Sequence, residues 1–422
     1  MAPVLGCIAD DFTGATDLAG MLVKEGMRTV QLIDVPDPSV QAPDADALVI
    51  ALKSRTIEPA DAVAQSRAVL AWLQAVGCRH FFFKYCSTFD STDRGNIGPV
   101  AEALLDALES DFTIACPALP VNGRSVYRGY LFVGDVPLNE SGMADHPLTP
   151  MTDANLVRVL GRQARGPVGL IAYGTVAQGQ GAITEAIAAL RAEGVRLAIV
   201  DAVLDRDLRE IGVAAWSLPL VTGGSGVAIG LPDAYRRAGL LAGNVAADRL
   251  GPVEGHRAVV SGSCSVATRA QVARMEEQAP SFRIDPLALA EGRDMAEAAL
   301  EWARPRLADG PVLVYATAEP EQVRAAQAKI GKDRAGALVE QALAAVGAGL
   351  VEAGVRRLIV AGGETSGAVV QALGIDALRI GPEIDPGVPW TESLGARPLH
   401  LALKSGNFGS EDFFVKAFEV AA

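Results

Sequence analysis

The chain has 422 residues, half of them apolar and 21% charged, which is material for two buried cores and excludes a disordered chain. Its formal net charge is −13 with no concentration of Lys or Arg, so it lacks the positive stripe that a nucleic-acid partner requires. The five cysteines (Cys7, Cys78, Cys86, Cys116, Cys264) show no CxxC spacing and read as small hydrophobes in a reducing compartment. Met1-Ala2-Pro3-Val4 lacks the basic and apolar regions of a signal peptide, and no uncharged apolar run reaches bilayer length. The expected location is the cytoplasm, with no membrane partner.

Short apolar runs alternate with longer amphipathic stretches. Val4–Ala9 predicts a first strand and Thr16–Lys24 a helix. Val30–Ile33, Ala47–Leu52, His80–Phe83 and Phe112–Cys116 predict further strands, as do Val168–Tyr173 and Leu197–Val200 with a helix over Ile183–Glu193 between them. Continuous apolar runs are strands buried on both faces, and their alternation with helices predicts parallel βαβ units. Thr222-Gly223-Gly224-Ser225-Gly226 is too glycine-rich for an element interior and predicts a boundary between Gly223 and His256. After Gly251-Pro252 the rhythm restarts, with strands at Val259–Val260, Val312–Tyr315, Leu358–Val360 and Leu399–Leu403 and helices over Ala267–Glu277 and Gly336–Ala353. The expected fold is α/β: two α/β domains with mainly parallel sheets, residues 1–235 and 256–422, joined by a linker at 236–255, with the active site in the cleft between them.

Ligands of open α/β sheets bind beyond the carboxyl ends of strands, where the polar clusters of this sequence fall. Ala9-Asp10-Asp11-Phe12-Thr13-Gly14-Ala15 follows the first strand. Its amides could hold an anion, and Asp10 or Asp11 could take a hydroxyl proton or hold Mg²⁺; one of the acids could equally be a helix cap. Lys53-Ser54-Arg55 suits a carboxylate or is an ordinary basic loop. Lys84-Tyr85-Cys86-Ser87-Thr88-Phe89-Asp90-Ser91-Thr92-Asp93-Arg94-Gly95-Asn96 is dense in hydroxyls, as a loop contacting a polyol acid would be. Pro117–Arg124 follows another strand, and Asn139-Glu140-Ser141-Gly142-Met143 leads to His146-Pro147-Leu148-Thr149-Pro150-Met151. His146 has no acidic or Cys neighbours for a zinc site and reads as a substrate contact or a structural histidine.

Three glycine-bearing turns follow strands of the second half: Ser261–Ser265, Ala361–Gly367 and Lys404–Gly409. Any one could be a tight turn; together they read as a nucleotide cradle. There is no Walker A motif, no protein-kinase motif set, no GxGxxG after the first strand and no GxSxG elbow.

On the motifs Ala9–Ala15, Asp90-Ser91-Thr92 with Arg94-Gly95-Asn96, Ala361–Gly367 and Lys404–Gly409, the chain resembles the four-carbon acid sugar kinase family over nearly its whole length. Lys84–Thr92 and the Asn139–Met151 segment look like its 3-oxo-tetronate branch. The resemblance implies ATP-dependent phosphorylation of a terminal hydroxyl, an N-terminal acid-binding domain and a C-terminal nucleotide-binding domain. It places ATP at Ser263 or Ser265, at Gly362, Gly363, Glu364 and Thr365, and at Gly406, with Mg²⁺ on the phosphates. The acid would meet Thr13, Gly14, Ser54, Arg55, Lys84, Asp90, Ser91, Arg94 and His146, with Asp11 or else Asp10 as the base and no dedicated metal ligands. Threonate or erythronate kinases share most of these motifs. A non-catalytic sugar-acid sensor and a lyase using Lys84 as a Schiff base are the rivals from other classes. A homodimer is the default assembly.

Overall fold

Apolar runs too short for helices and bounded by turn residues become the strands of the sheet in each of two units, Met1–Ala247 and Asp248–Ala422. The computed structural model describes residues 2–146, 148–243, 246–395 and 398–420.

In the first unit the strands are β1 (Leu5–Ala9), β2 (Thr29–Ile33), β3 (Ala47–Ala51), β4 (His80–Lys84), β5 (Thr113–Cys116), β6 (Arg124–Tyr127), β7 (Tyr130–Val133), β8 (Val136–Pro137), β9 (Val168–Ile171), β10 (Leu197–Val200) and β11 (Leu220–Gly223). All but β6–β8 form a parallel array in the order β2-β3-β1-β4-β11-β5-β10-β9, and β6, β7 and β8 form a small antiparallel sheet. β1 lies between β3 and β4, with Ala9 in register with Ala51 on one side and Lys84 on the other. The polar loops after these three parallel strands therefore open at one edge.

The second unit contains β12 (His256–Ser261), β13 (Ser281–Arg283), β14 (Val312–Tyr315), β15 (Val355–Ala361), β16 (Ala377–Asp385), β17 (Val388–Ser393) and β18 (His400–Lys404). They run β13-β14-β12-β15-β18-β17-β16, parallel from β13 to β18 and antiparallel across β17 and β16. Val259, Leu313, Ile359 and Ala402 pack with Trp390, Phe413 and Phe414 into its core. The helix Lys332–Glu352 is apolar and long enough to cross a membrane by composition, but it turns Ala342, Leu343, Val346 and Leu350 into this unit, against β12 and β15.

Three expectations are corrected. The glycine run 222–226 is interior: Thr222 and Gly223 end β11, and Ser225–Gly230 is a fully buried 3₁₀ segment. The glycines are there for close approach, since a Cβ would sit 2.3 Å from the Cys116 oxygen at Gly223, 2.7 Å from that of Pro117 at Gly224 and 2.6 Å from that of Ala118 at Gly226. Tyr173 does not extend β9 but starts the helix Tyr173–Val176, its amide turned onto the Asp201 carboxylate at 2.8 Å. The first helix begins at Phe12 rather than Thr16, because Asp11 accepts from the Gly14 amide as its cap.

Candidate active site

The first cluster is built on the adjacent ends of β1, β3 and β4. The backbone oxygen of Asp10 accepts from the amides of Ser54 (3.0 Å) and Arg55 (3.2 Å), and its own amide donates to the Lys84 oxygen (3.0 Å), so all three loops are tied to Asp10. This delivers Arg55 to the acids. Its Nε and Nη2 donate to the two Asp10 oxygens at 2.9 and 2.8 Å, Nη2 also reaches Asp11 Oδ1 at 2.5 Å, and Nη1 lies 3.6 Å from Asp90 Oδ2. Asp11 further accepts from Thr13 Oγ1 (2.8 Å) and the Gly14 amide (3.2 Å). Gly14 must be glycine, since a Cβ there would lie 2.2 Å from Asp11 Oδ1 and 2.9 Å from Lys84 Nζ.

The two acids differ in access and in proton affinity. The Asp10 side chain is 6% exposed and that of Asp11 26%. Burial lifts the Asp10 carboxyl above its ordinary range, against the opposing charge of Arg55. Burial pushes Asp11 upward too, but the charges of Arg55 and Lys84 and the bonds from Thr13 and Gly14 outweigh it and hold that carboxyl below its ordinary value. Burial works against the Arg55 charge, and Asp10 and Asp11 overcome it, holding the guanidinium firmly protonated.

The loop after β4 wraps the cluster with strained backbone. Phe89 and Asp90 take φ of 67° and 43°, the left-handed region that a bulky side chain avoids, while Phe89 is fully buried and Thr88 Oγ1 donates to Asp90 at 2.6 Å. Asn96 and Gln163, neither of them among the expected contacts, pin this loop. Asn96 Nδ2 donates to the backbone oxygens of Ser54 (2.7 Å), Ile57 (2.9 Å) and Arg55 (3.3 Å). Gln163 bridges Ser91 Oγ, the Thr92 oxygen and the Gly98 amide. Asn96 was visible inside a quoted motif, whereas nothing local in the sequence marks Gln163.

Asp10, Asp11, Thr13, Gly14, Ser54, Arg55, Lys84, Asp90 and Ser91 thus share one end of the sheet. Arg94 is exposed and instead lines a separate cavity of about 280 Å³ with Met151, Asp153 and Arg162. His146 is held within its own loop, its Nδ1 3.1 Å from the Thr149 amide and 2.8 Å from Thr149 Oγ1; Pro147 of that motif lies outside the described residues.

In the second unit the three glycine turns follow β12, β15 and β18, which are neighbours. Gly362 (φ 121°) donates its amide to the Lys404 oxygen at 2.9 Å. A Cβ on Gly262 would lie 2.1 Å from Thr365 Oγ1, and one on Gly406 2.5 Å from Ser263 Oγ. Ser265 caps the helix Val266–Glu276 and donates to the Gly406 oxygen at 2.5 Å, which Thr268 Oγ1 also reaches at 2.8 Å. Lys404 is fully buried, its Nζ donating to Thr268 Oγ1 (3.0 Å) and to the oxygens of Ser405 and Gly406 (both 3.1 Å). Desolvation lowers its amine to about 8. Beside these turns lies a cavity of about 550 Å³. Gly262, Ser263 and Gly362–Thr365 line it together with Leu287, Val323, Ala326, Ala335 and Val339, and Arg283, Asp285, Gln322 and Glu340 add polar groups. Glycine-turn amides and aliphatic wall in one cavity are what a nucleotide's phosphates and base require.

Comparison with known proteins agrees with this division of labour. A domain family described as the sugar-binding N-terminal domain matches residues 5–231, and one described as the nucleotide-binding C-terminal domain matches residues 258–414. The chain is 63% identical over 415 residues to a Burkholderia multivorans protein named 3-oxo-tetronate kinase, covering 98% of this chain and 96% of the relative. The chain belongs to the four-carbon acid sugar kinase family. A family member from Haemophilus influenzae with the same kinase name is 47% identical, covering 97% of this chain and 98% of its own length. Among solved structures, a Salmonella typhimurium LT2 protein provisionally described as a tRNA synthase superposes with a TM-score of 0.91 at 47% identity, covering 98% of both chains. A Haemophilus influenzae protein superposes at 0.83 with the same identity, covering 98% of this chain and 99% of its own.

Proposed function

We propose that this chain transfers the γ-phosphoryl group of ATP to the terminal hydroxyl of 3-oxo-tetronate, giving 3-oxo-tetronate 4-phosphate and ADP. The observation that carries the substrate is its near-full-length similarity, at 63% identity, to proteins named for that kinase activity. The acid occupies the cluster at the ends of β1, β3 and β4, and ATP the cavity beside the glycine turns. Phosphoryl transfer asks a protein mainly for positioning and charge stabilisation, with one group to take the hydroxyl proton.

Asp11 is that group, with Asp10 the second candidate. Asp11 is the more accessible acid, and its lowered carboxyl is ionised at neutral pH and open to a hydroxyl donor. Asp10 is held by two Arg55 bonds and serves chiefly to set the cluster. Most of the Arg55 fork is already engaged, so its Nη1 edge is what remains for the substrate carboxylate, beside Ser54. Thr13, Gly14, Lys84, Asp90 and Ser91 surround the rest of the acid.

Mg²⁺ supplies neutralisation of phosphate charge when bound. Mg²⁺ characteristically keeps several waters and is held through one or two carboxylates together with substrate phosphates. Glu364, exposed on the cavity wall, is the carboxylate that would help to hold it.

The deciding experiment is a coupled ADP-release assay with ATP and Mg²⁺ against 3-oxo-tetronates, threonates and erythronates of both hands. ADP release dependent on a 3-oxo-tetronate is expected. Release only with a threonate or erythronate would move the substrate assignment, and none with any acid would overturn the kinase reading.

A further inference from the structure

Asn is a favoured helix N-cap, and Asn96 stands at the N-cap position of the helix Ile97–Ala107 without making the side-chain cap bond. Its side chain turns the other way, and three backbone oxygens, those of Ser54, Arg55 and Ile57, surround its terminal nitrogen. That environment fixes the orientation of the amide, because a flipped Asn would set its oxygen against three acceptors. The other end of the amide is thereby also fixed, and Asn96 Oδ1 is buried with no hydrogen-bond partner among the described residues, in a side chain whose residue is only 6% exposed. Asn96 lines a narrow cleft with Asp10, Ser54, Arg55, Asp90 and Ser91, walled also by Phe83, Ile97 and Val100 and too tight in this structure to admit a water. A buried acceptor left without a donor is costly, and such groups in native proteins call for an explanation.

We propose that Asn96 is a specificity-determining residue whose Oδ1 accepts a hydrogen bond from the non-reacting hydroxyl of the sugar acid, that on C2. The inference rests on the kinase reading above and adds to it the group that reads the second hydroxyl. 3-Oxo-tetronate carries hydroxyls at C2 and C4 and a ketone at C3. The C4 hydroxyl is the phosphoryl acceptor, and a ketone oxygen cannot donate, so C2 alone offers a stable donor to a fixed acceptor. The cleft already supplies charged partners in Arg55, Asp10 and Asp90. An acceptor that cannot reorient distinguishes a hydroxyl from a hydrogen or an oxo group at the same carbon. The strained Phe89–Asp90 pair lies in the same loop and is the segment suited to yield as the acid enters.

The test compares binding of 3-oxo-tetronate with that of its 2-deoxy analogue, 4-hydroxy-3-oxobutanoate, by calorimetry on the full chain, in the wild type and N96A. ADP binding is the control for an intact nucleotide site. The wild type is expected to prefer the parent acid by about tenfold or more, the range for a site left with an unpaired buried group. In N96A that preference should fall to near unity. Equal weakening of both ligands in N96A with the preference intact would make Asn96 only a strut for the Ser54–Ile57 segment and overturn the proposal. A wild-type preference near unity overturns it without any variant, which covers the case of N96A failing to fold. Failure of the kinase reading looks different: no acid-dependent ADP release and no binding of either acid.

Discussion

Arg55 is asked to balance more negative charge than it carries. Asp10, Asp11 and Asp90 all lie within 3.6 Å of its guanidinium, and Lys84 adds a second positive group near Asp11. Buried acids tolerate such crowding only when each is hydrogen-bonded, and Asp11 is, through Thr13, Gly14 and Arg55. The result is a carboxylate that stays ionised at neutral pH yet remains a quarter exposed, as a proton acceptor for an incoming hydroxyl needs to be. In D11N the shape survives but the acceptor of the proton does not. Turnover is expected to fall by about 10²–10⁴-fold. The KM for ATP should stay within about twofold, since the nucleotide cavity belongs to the other unit. Steady-state kinetics with both substrates varied measures this, and near-normal turnover would remove Asp11 from the chemistry. Asp11 also caps the first helix, and Asn is as good a cap, so the helix start should survive the substitution.

At the scale of elements, the end of β18 shows a loop assembled around one buried cation. Lys404 binds the oxygens of Ser405 and Gly406, Gly406 is also held by Ser265 and Thr268, and Gln271 donates to the oxygens of Phe408, Gly409 and Ser410. The Lys404 amine is lowered from 10.5 to about 8 by desolvation. Between these values the unfolded chain binds the extra proton, so this group makes stability rise with pH from about 8 to about 10.5, its penalty being present in full below about 8. Denaturant titrations of the wild type and K404M at pH 7 to 10 should therefore show the wild type gaining relative to the variant as pH rises; parallel curves would mean that Lys404 titrates normally. Such features explain what the sequence could and could not announce. The β1, β3 and β4 tips were legible because continuous apolar runs ended in polar clusters, and the parallel order then brings Asp10, Arg55 and Lys84 together. β16 and β17 were not legible, because neither is a continuous apolar run: Arg379, Glu383 and Asp385 interrupt β16, and Thr391, Glu392 and Ser393 end β17. The glycines at 223, 224 and 226 misled because glycine marks close backbone approach as readily as a turn, and only the tertiary neighbours at 116–118 distinguish the two. Gln163 was invisible for a related reason: its partners at Ser91, Thr92 and Gly98 lie far away in sequence.

For the whole molecule, a net charge of −13 has to be reconciled with two anionic ligands. In the reading proposed above the reconciliation is local: Arg55 and Lys84 with the amides that open the first helix in one unit, and the amides of three glycine turns in the other. Field lines from surface acids are screened within about 8–10 Å at physiological salt, so such sites work inside an acidic protein. Each ligand should then stabilise the unit that holds it. A ligand at a hundredfold excess over its Kd stabilises its site by about 2.7 kcal/mol, which slows exchange of amides exposed by opening of that unit roughly a hundredfold. In hydrogen exchange on the full chain, ADP alone is expected to protect amides at 258–265 and 355–366, in β12, β15 and the turns that follow them. The sugar acid alone should protect 10–14, 54–55 and 96–98. ADP protection centred on 96–98, or acid protection centred on 362–366, would exchange the roles of the two units and with them every residue assignment above.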